Sequence, residues 1–357
     1  MNLGWPQPDL AHYSPMLESA GLEPRERSHV LAPSPVPGLI RASLHSVAVA
    51  LPSARVSTAQ IANRLGVSED WIISRTGVRE RPVAAPDERL SDFAARAGAA
   101  ALERAGVDPS EVDLVIVATM TADEVTPNSA PLVATEIGAD HAGAFDIGAA
   151  CTAFLSGVAM AAAQIETGRC RWALVIGADF ISKVINWEDR KTAPLFSDAA
   201  GAVVIGPASG EHGAIGPIVL GADGSGCRAI VIEHSDRRLH MDGPEVYRHA
   251  VARMAESTLA AVERAGLTLD EIDLFVYHQA NARITKALGE RLGLAPEKVV
   301  DCIENLGNSS AATLPLALEV AERTGRLKPG ARVLLGAFGA GFTWGGGVIE
   351  WPGSRDA

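Results

Sequence analysis

The sequence predicts an α/β fold in which two similar halves pack as one body. Apolar runs typical of buried parallel strands alternate with alanine-rich helical segments. The chain also matches itself at an offset of 160 residues, where AALERAG (residues 100–106) aligns with AAVERAG (residues 260–266). That period is too long for a solenoid and indicates a duplicated fold.

The first 40 residues differ from the rest, since they hold seven of the 21 prolines and show no sustained apolar period. We expect a surface-wrapping extension there, with a short helix near residues 14–20. Regular elements follow it. They are a strand SLHSVAVALP (residues 43–52), a helix STAQIANRLGV (residues 57–67) with a Ser/Thr cap, a helix LSDFAARAGAAALERAG (residues 90–106) and a buried strand VDLVIVATMT (residues 112–121).

The repeat continues beyond the helix, because VDLVIVA (residues 112–118) matches IDLFVYH (residues 272–278). WALVIGA (residues 172–178) likewise resembles RVLLGAF (residues 332–338). We therefore divide the chain into an extension (residues 1–40), an N-terminal half (residues 41–206) and a C-terminal half (residues 213–351).

Composition excludes several classes of protein. With 357 residues and 47% hydrophobic content the chain is not disordered, and its net charge of −12 argues against nucleic acid as the main partner. The stretch richest in apolar residues (149–165) is interrupted by polar ones, so we expect no membrane span. The N-terminus lacks a signal-peptide pattern, so we expect a cytoplasmic protein. The four cysteines show no metal-binding spacing.

Cys151 is the first candidate for chemistry, because it follows the strand AFDIGAA and opens an apolar helix. A thiol at a helix N-terminus meets unpaired N–H groups, which typically lower its pKa to ~3.5–7.5. A small buried apolar residue is the alternative, and the other cysteines are expected to be structural. The repeat places Cys151 opposite Ala311, three residues after Asn308, so we expect these two loops to meet.

Two further residues are candidates for the same place. His278 ends the strand LFVY, where ligand crevices form in α/β layers, although a buried core histidine fits equally well. Asn308 lies in LGNSS, which by itself indicates a turn followed by a helix cap.

Six segments occur in an order that is typical of one family. They are DWIISRTGVRER (residues 70–81), DIGAACTAF (146–154), FSDAAGAVVIG (196–206), HQANARI (278–284), GNSSAATLPLAL (307–318) and FGAGFTWG (338–345). With these segments the chain resembles the 3-oxoacyl-[acyl-carrier-protein] synthase III family over about residues 43–351. The resemblance implies a thiolase fold, in which duplicated halves form five layers, αβαβα.

The resemblance also implies roles for individual residues. Cys151 matches the nucleophile that takes an acyl group from acyl-CoA. His278 and Asn308 match the pair that binds the malonyl thioester carbonyl during decarboxylation. The oxyanion hole would use the N–H groups of Cys151 and Ala340, where many relatives have glycine, so Ala340 is acceptable if its φ is negative. Phe338 matches an aromatic beside the cysteine.

The implied substrates are acyl-CoA and malonyl-[acyl-carrier-protein], with no cofactor. Matched CoA-binding positions are Trp71 and Arg190 around adenine, Arg75 near the phosphates, and Gly243 and Asn281 along the pantetheine tunnel. Trp71 as a helix anchor and Arg75 as a surface ion-pair partner remain alternatives.

The resemblance further implies a homodimer, in which residues 122–132 reach the partner's pocket. Thr126 stands where relatives that prefer acetyl primers often carry an aromatic, which favours a roomier pocket.

A carrier-protein dock is expected on the helix that begins at HQANARI. Arg283, Lys286 and Arg291 lie near one helical face, and Arg248 matches another basic position near the tunnel mouth. Glu290 departs from the family, because relatives are often basic there. A solvated helix face of mixed charge is the alternative.

The sequence therefore predicts an acyltransferase that starts fatty-acid synthesis by decarboxylative Claisen condensation through an acyl-cysteine. The main alternative is a related acyltransferase of specialised, polyketide-type metabolism, whose members often alter the asparagine. A catalytically inactive partner subunit fits less well, because Cys151, His278 and Asn308 are all present. A type III polyketide synthase shares these three residue types, but the RTGVRER and HQANARI segments are not typical of that family.

Overall fold

A computed structural model describes residues 40–208 and 213–352. The proline-rich segment and the short helix expected near residues 14–20 lie outside the described residues. Two sheets organise the described part of the chain.

The first sheet has the strand order β1-β7-β6-β4-β5. Its strands are β1 (Ala42–Ala50), β4 (Leu114–Ala118), β5 (Gly143–Ile147), β6 (Ala173–Phe180) and β7 (Asp198–Pro207). β4 runs parallel to both β5 and β6, whereas β7 is antiparallel to β1 and β6. The central strands β4 and β6 are apolar apart from Asp179 near the end of β6, because both faces of the sheet are covered.

The second sheet repeats this arrangement in the order β11-β12-β13-β8. Its strands are β8 (Ile215–Ala222), β11 (Leu274–Tyr277), β12 (Arg332–Gly339) and β13 (Thr343–Glu350). β11 and β12 are parallel, and the other pairs are antiparallel. Two small ribbons complete the strands: β2 (Arg55–Ser57) with β3 (Glu80–Pro82), and β9 (Ile230–Ile232) with β10 (Leu239–Met241).

The described helices are α1 (Thr58–Leu65), α2 (Glu69–Thr76), α3 (Leu90–Ala105), α4 (Ser129–Ile137), α5 (Ala153–Glu166), α6 (Gly243–Arg264), α7 (Ala282–Leu292), α8 (Ile303–Leu306) and α9 (Thr313–Arg323). The predicted cap of α1 is confirmed, since Ser57 and Gln60 form a capping box. Among these helices, none combines the length and apolar character needed to cross a membrane.

The layers follow from which apolar residues cluster together. α5 and α9 are packed between the two sheets, and their cluster includes Phe154, Val158, Leu314 and Leu318. The outer face of the first sheet is covered by α3 and α4, and that of the second by α6 and α7. The resulting order, αβαβα, confirms the predicted thiolase fold with duplicated halves.

The sequence repeat corresponds to equivalent elements in the two halves. β4 and β11 begin 160 residues apart, at Leu114 and Leu274. The 3-10 turns Ala150–Thr152 and Ser310–Ala312, and the starts of α5 and α9 that follow them, keep the same offset. Both central helices therefore begin at one place between the sheets, where the candidate residues lie.

Candidate active site

The two 3-10 turns contact each other directly, as the repeat predicted. The Ser310 hydroxyl donates to Cys151 Sγ over 3.4 Å. Both turns contain a left-handed non-glycine residue, Ala150 with φ 46° and Ser310 with φ 53°. Such backbone conformations are strained and cluster at functional sites. Gly177 lets β6 lie against the second turn, because a Cβ there would come within about 2.4 Å of the Ala311 carbonyl oxygen.

Cys151 is buried immediately before α5. The structure corrects the expected lowering of its pKa: burial raises the pKa of Cys151 to about 12, and the charge of Asp179 acts in the same direction. The hydrogen bond from Ser310 opposes both effects without outweighing them. A thiol in this setting is protonated at neutral pH, so loading an acyl group requires a place for its proton.

His278 follows β11 and is fixed at both its backbone and its ring. The backbone N–H of His278 donates to the Gly336 carbonyl, and the ring Nδ1 lies 2.5 Å from Thr313 Oγ1. The Thr313 hydroxyl donates its proton to the Ser310 carbonyl, so it accepts from Nδ1–H. Burial lowers the pKa of His278 to about 3, which keeps the ring neutral with Nε2 as an acceptor. Turning the Thr313 hydroxyl toward Nδ1 would produce the other tautomer, in which Nε2 donates.

Asn308 is held so that its amide nitrogen is available as a donor. Its Oδ1 accepts the Ser310 N–H over 2.9 Å, which fixes the orientation of the amide. One Nδ2 hydrogen reaches the Ala280 carbonyl over 3.3 Å, beside His278. Nδ2 carries two hydrogens, and the contacts among the described residues use one of them, so the second can be donated to a ligand.

The FGAGF segment lies against the cysteine. A Cβ on Gly339 would come within about 2.9 Å of the Cys151 backbone nitrogen, so only glycine allows this approach. In the described chain, the non-glycine residues with positive φ are Ala150, Arg237 and Ser310. The φ of Ala340 is therefore negative, as an alanine in the oxyanion hole requires. Phe338 is buried, with its ring 5.0 Å from that of Phe342.

The expected nucleotide-binding residues lie around the ends of α1, α2 and α7. The Arg75 guanidinium covers the Trp71 ring at 4.4 Å from its centroid, and Arg75 also donates to the Trp71 carbonyl over 3.2 Å. Arg190 donates to the Leu65 carbonyl over 2.9 Å. Arg75 therefore lies against one face of the indole, and the sandwich of adenine between Trp71 and Arg190 stays a prediction.

Asn281 and Gly243 both lie at helix starts. Asn281 caps α7 by accepting the Arg283 N–H over 2.9 Å, and its Nδ2 donates to the Arg75 carbonyl over 2.9 Å. It thus ties α7 to α2. Gly243 begins α6, and a Cβ there would meet no atom within 4 Å.

The four basic residues of the expected dock are not equivalent. Arg248 pairs with Glu245 over 2.7 Å, and Lys286 pairs with Glu290 over 3.8 Å. Arg291 is partly buried, which lowers its pKa. Arg283 lies over the Tyr247 ring, 5.6 Å from its centroid. Arg283 is thus the exposed member of this set that pairs with no carboxylate in the contacts described here.

The other cysteines behave differently from one another. Cys170 is buried and Cys302 is partly buried, as structural residues would be. Cys227 is exposed, which corrects the expectation of a structural role, because its side chain fills no part of the core.

Sequence reasoning missed three residues around the candidates: Ser310 and Thr313, which contact Cys151 and His278, and Asp179, which accepts the Ala311 N–H. The first two lie in the quoted segment GNSSAATLPLAL, where they look like ordinary small residues of a turn and a helix start. Asp179 gave a stronger signal, because it interrupts the otherwise apolar strand ALVIGADF close to its carboxyl end.

Comparisons with known proteins agree with this site. Family models match residues 145–224, described as 3-oxoacyl-[acyl-carrier-protein (ACP)] synthase III, and residues 262–351, described as its C-terminal part. The beta-ketoacyl-[acyl-carrier-protein] synthase III of Symbiobacterium thermophilum is 44% identical, covering 85% of this chain and 96% of the relative.

Solved structures give the same result. The 3-oxoacyl-(acyl carrier protein) synthase III of Pseudomonas aeruginosa PAO1 superposes with a TM-score of 0.84 at 38% identity, covering 88% of this chain and 99% of that one. The priming beta-ketosynthase of the R1128 polyketide biosynthetic pathway gives 0.85 at 38% identity, covering 90% and 99%.

Proposed function

Since this chain belongs to the beta-ketoacyl-[acyl-carrier-protein] synthase III family, we propose that it condenses an acyl-CoA primer with malonyl-[acyl-carrier-protein] to initiate fatty-acid synthesis. The product is a 3-oxoacyl-[acyl-carrier-protein], and CO₂ and CoA are released. The observation that carries the proposal is the meeting of Cys151, His278 and Asn308 around the turn Ser310–Ala312.

Cys151 takes up the primer. Its thiolate attacks the thioester carbonyl, the bond to the CoA sulfur breaks, and an acyl-cysteine remains. The backbone N–H groups of Cys151 and Ala340 receive the developing oxyanion. The close approach of Gly339 to Cys151 supports this pairing, because it holds the Ala340 segment against the nucleophile.

Asn308 and His278 act on the malonyl group. As CO₂ leaves, negative charge builds on the thioester oxygen, and the free Nδ2 hydrogen of Asn308 is oriented to receive it. His278 donates as well when Nε2 carries the proton, which the Thr313 hydroxyl controls. The carbanion carbon then attacks the acyl-Cys151 carbonyl and releases the cysteine thiolate.

CoA enters beside α2. The adenine stacks on the Trp71 ring, with Arg190 on its other side and Arg75 near the phosphates. Pantetheine then passes Gly243 and Asn281 toward Cys151. No cofactor is required, because thioester exchange and decarboxylation need only the nucleophile and these donors. We place the reaction in the cytoplasm, where both thioesters are used.

Priming of polyketide-type metabolism is the second candidate, and the likeness to the R1128 priming ketosynthase supports it. Both candidate functions are decarboxylative condensations that use Asn308. They differ in the primer and in the carrier protein that the enzyme uses. A transferase that moves an acyl group without decarboxylation is disfavoured by the oriented Asn308 amide.

The function is tested by incubating the protein with a panel of acyl-CoAs and identifying the loaded chain by intact-mass spectrometry. Adding malonyl-[acyl-carrier-protein] should then produce the 3-oxoacyl carrier with stoichiometric CO₂. Loading followed by transfer to another acceptor, without CO₂, would contradict the proposal. The preferred primer and carrier separate the two pathways.

The carrier protein docks near α7, and Arg283 is the main contact. Arg283→Glu should raise the KM for malonyl-[acyl-carrier-protein] about two- to fivefold, as expected for an exposed charge contact of roughly 0.5–1 kcal/mol, and weaken its salt dependence. Arg248→Glu should do less, because Glu245 already balances Arg248. Arg323→Glu, an exposed arginine of α9, is the control. Equal KM values in all three variants would remove Arg283 from the dock.

The protein forms a homodimer through the edge of the first sheet. β5 is an edge strand, and nearby Val125 and Leu132 are exposed by 83% and 38%. Thr126, beside Val125, is exposed in the single chain, as a residue that enters the partner's pocket would be. Sedimentation velocity at micromolar concentration should give a dimer. A monomer with full activity would contradict this.

A further inference from the structure

Asp179 is a fully buried carboxylate for which the reaction outlined above has no role. Oδ1 accepts the Met120 N–H over 2.9 Å and the hydroxyls of Thr121 and Thr119 over 2.8 and 3.1 Å. Oδ2 accepts the Ala311 N–H over 3.2 Å. These donors are all uncharged, so a negative charge here is stabilised by hydrogen bonds alone.

The Ser310 hydroxyl connects this carboxylate to the nucleophile. Asp179 Oδ2 accepts the N–H of Ala311, the residue after Ser310, and the nearby Ser310 hydroxyl lowers the pKa of the carboxyl. The same hydroxyl lies 3.4 Å from Cys151 Sγ. A hydroxyl has one proton to donate and lone pairs to accept with, so it can donate to one neighbour while it accepts from the other. Its left-handed φ of 53° is a conformation that serine rarely adopts, and the surrounding contacts hold it.

We propose that Asp179 is the proton acceptor for the Cys151 thiol and that Ser310 relays the proton between them. The Cys151 S–H bond breaks as Ser310 Oγ takes the proton, and the original Ser310 O–H bond breaks as an Asp179 oxygen takes the other. Cys151 becomes a thiolate that accepts a hydrogen bond from Ser310, and Asp179 becomes neutral. This inference rests on the proposed function only for the later steps.

The stored proton balances the reaction. During loading, the departing CoA thiolate takes its proton from solvent, while Asp179 keeps the proton of Cys151. Condensation releases the Cys151 thiolate, and Ser310 returns the stored proton to it. One proton is therefore consumed per turnover, as the conversion of a malonyl carboxylate to CO₂ and of CoA thiolate to thiol requires.

The electrostatics of the neighbours agree with this direction of transfer. Burial raises the pKa of Asp179, which favours its neutral form, and neutralising Asp179 removes the charge that adds to the effect of burial in raising the pKa of Cys151. His278 is the other titratable side chain of the site, linked to it through Thr313 and Ser310. Burial lowers the pKa of His278, which makes it the poorer acceptor. The remaining groups against Asp179 are threonine hydroxyls and backbone amides, which do not titrate.

The test is the pH dependence of Cys151 alkylation by iodoacetamide, followed by intact mass. Internal transfer leaves the number of bound protons unchanged, so the wild-type rate should be flat between about pH 6 and 9. Asp179→Asn and Ser310→Ala should both lose this plateau, react at least about tenfold more slowly at pH 7 and rise about tenfold per pH unit. Asp198→Asn removes another fully buried carboxylate and should keep the plateau.

Several outcomes would overturn the proposal. If Asp179 only repels the thiolate, Asp179→Asn will react faster than wild type at pH 7, the opposite sign. A wild-type rate that rises tenfold per pH unit would also refute the relay. If His278→Asn alone loses the plateau, His278 is the acceptor.

A measurement on the wild-type protein covers the case in which the variants do not fold. Infrared difference spectra of the acyl-enzyme should show a protonated carboxyl band that shifts with ¹³C-aspartate, and its absence would refute proton storage. Alkylation uses neither acyl-CoA nor carrier protein, so its result is independent of the proposed condensation.

Discussion

Cys151→Ser is expected to eliminate the mass increase that acyl-CoA produces on the wild-type protein. A serine hydroxyl is far harder to deprotonate than a thiol and a far weaker nucleophile than a thiolate, so the variant should not take up the acyl group. The measurement is intact mass after incubation with excess acyl-CoA, followed by peptide mapping of the wild-type adduct.

Cys170→Ser is the matched control, because Cys170 and Cys151 are both 9% exposed and burial raises the pKa of each to about 12. What distinguishes Cys151 is its contact with Ser310 and the neighbouring Gly339. The control should load like wild type. An adduct that persists in Cys151→Ser, or that maps to Cys170, Cys227 or Cys302, would contradict the assignment.

The fold was predictable because the sequence contains a 160-residue repeat and the apolar pattern of buried strands. The 160-residue offset aligned AALERAG with AAVERAG, and the structure has the same helix, turn and strand at those places. Because both faces of the sheet are buried, β4 is continuously apolar and β6 is apolar up to Asp179, a pattern that the sequence alone shows. The boundaries 41–206 and 213–351 stay a prediction, with the strands of the two sheets spanning Ala42–Pro207 and Ile215–Glu350.

The site was predictable only as far as residue type distinguishes a residue from its surroundings. A cysteine, a histidine and an asparagine stand out in small-residue segments, whereas Ser310 and Thr313 do not. Their importance comes from where the two turns bring them, and that depends on tertiary packing. The same limit explains why the pKa of Cys151 is raised and not lowered as predicted. The position of Cys151 at a helix start can be recognised in the sequence, whereas its desolvation depends on which distant residues cover it.

Asn308→Ala is expected to separate the two halves of the reaction. Removing one donor aimed at a developing oxyanion typically costs ~2.7–4 kcal/mol, so condensation should fall about 10²–10³-fold. Loading of Cys151 should be largely retained, because the acyl oxyanion is assigned to the backbone N–H groups of Cys151 and Ala340 and not to the Asn308 amide. The two rates are measured separately, by acyl-enzyme formation and by CO₂ release.

The control for this variant is Asn305→Ala, an exposed asparagine three residues earlier on α8. It should leave both rates unchanged. Because Asn308 Oδ1 also holds the Ser310 N–H, some disturbance of Cys151 is expected, but a structural disturbance alone would lower loading and condensation by the same factor. Equal losses would therefore contradict the division of labour, whereas a condensation defect at least tenfold larger than the loading defect assigns Asn308 to the malonyl half-reaction.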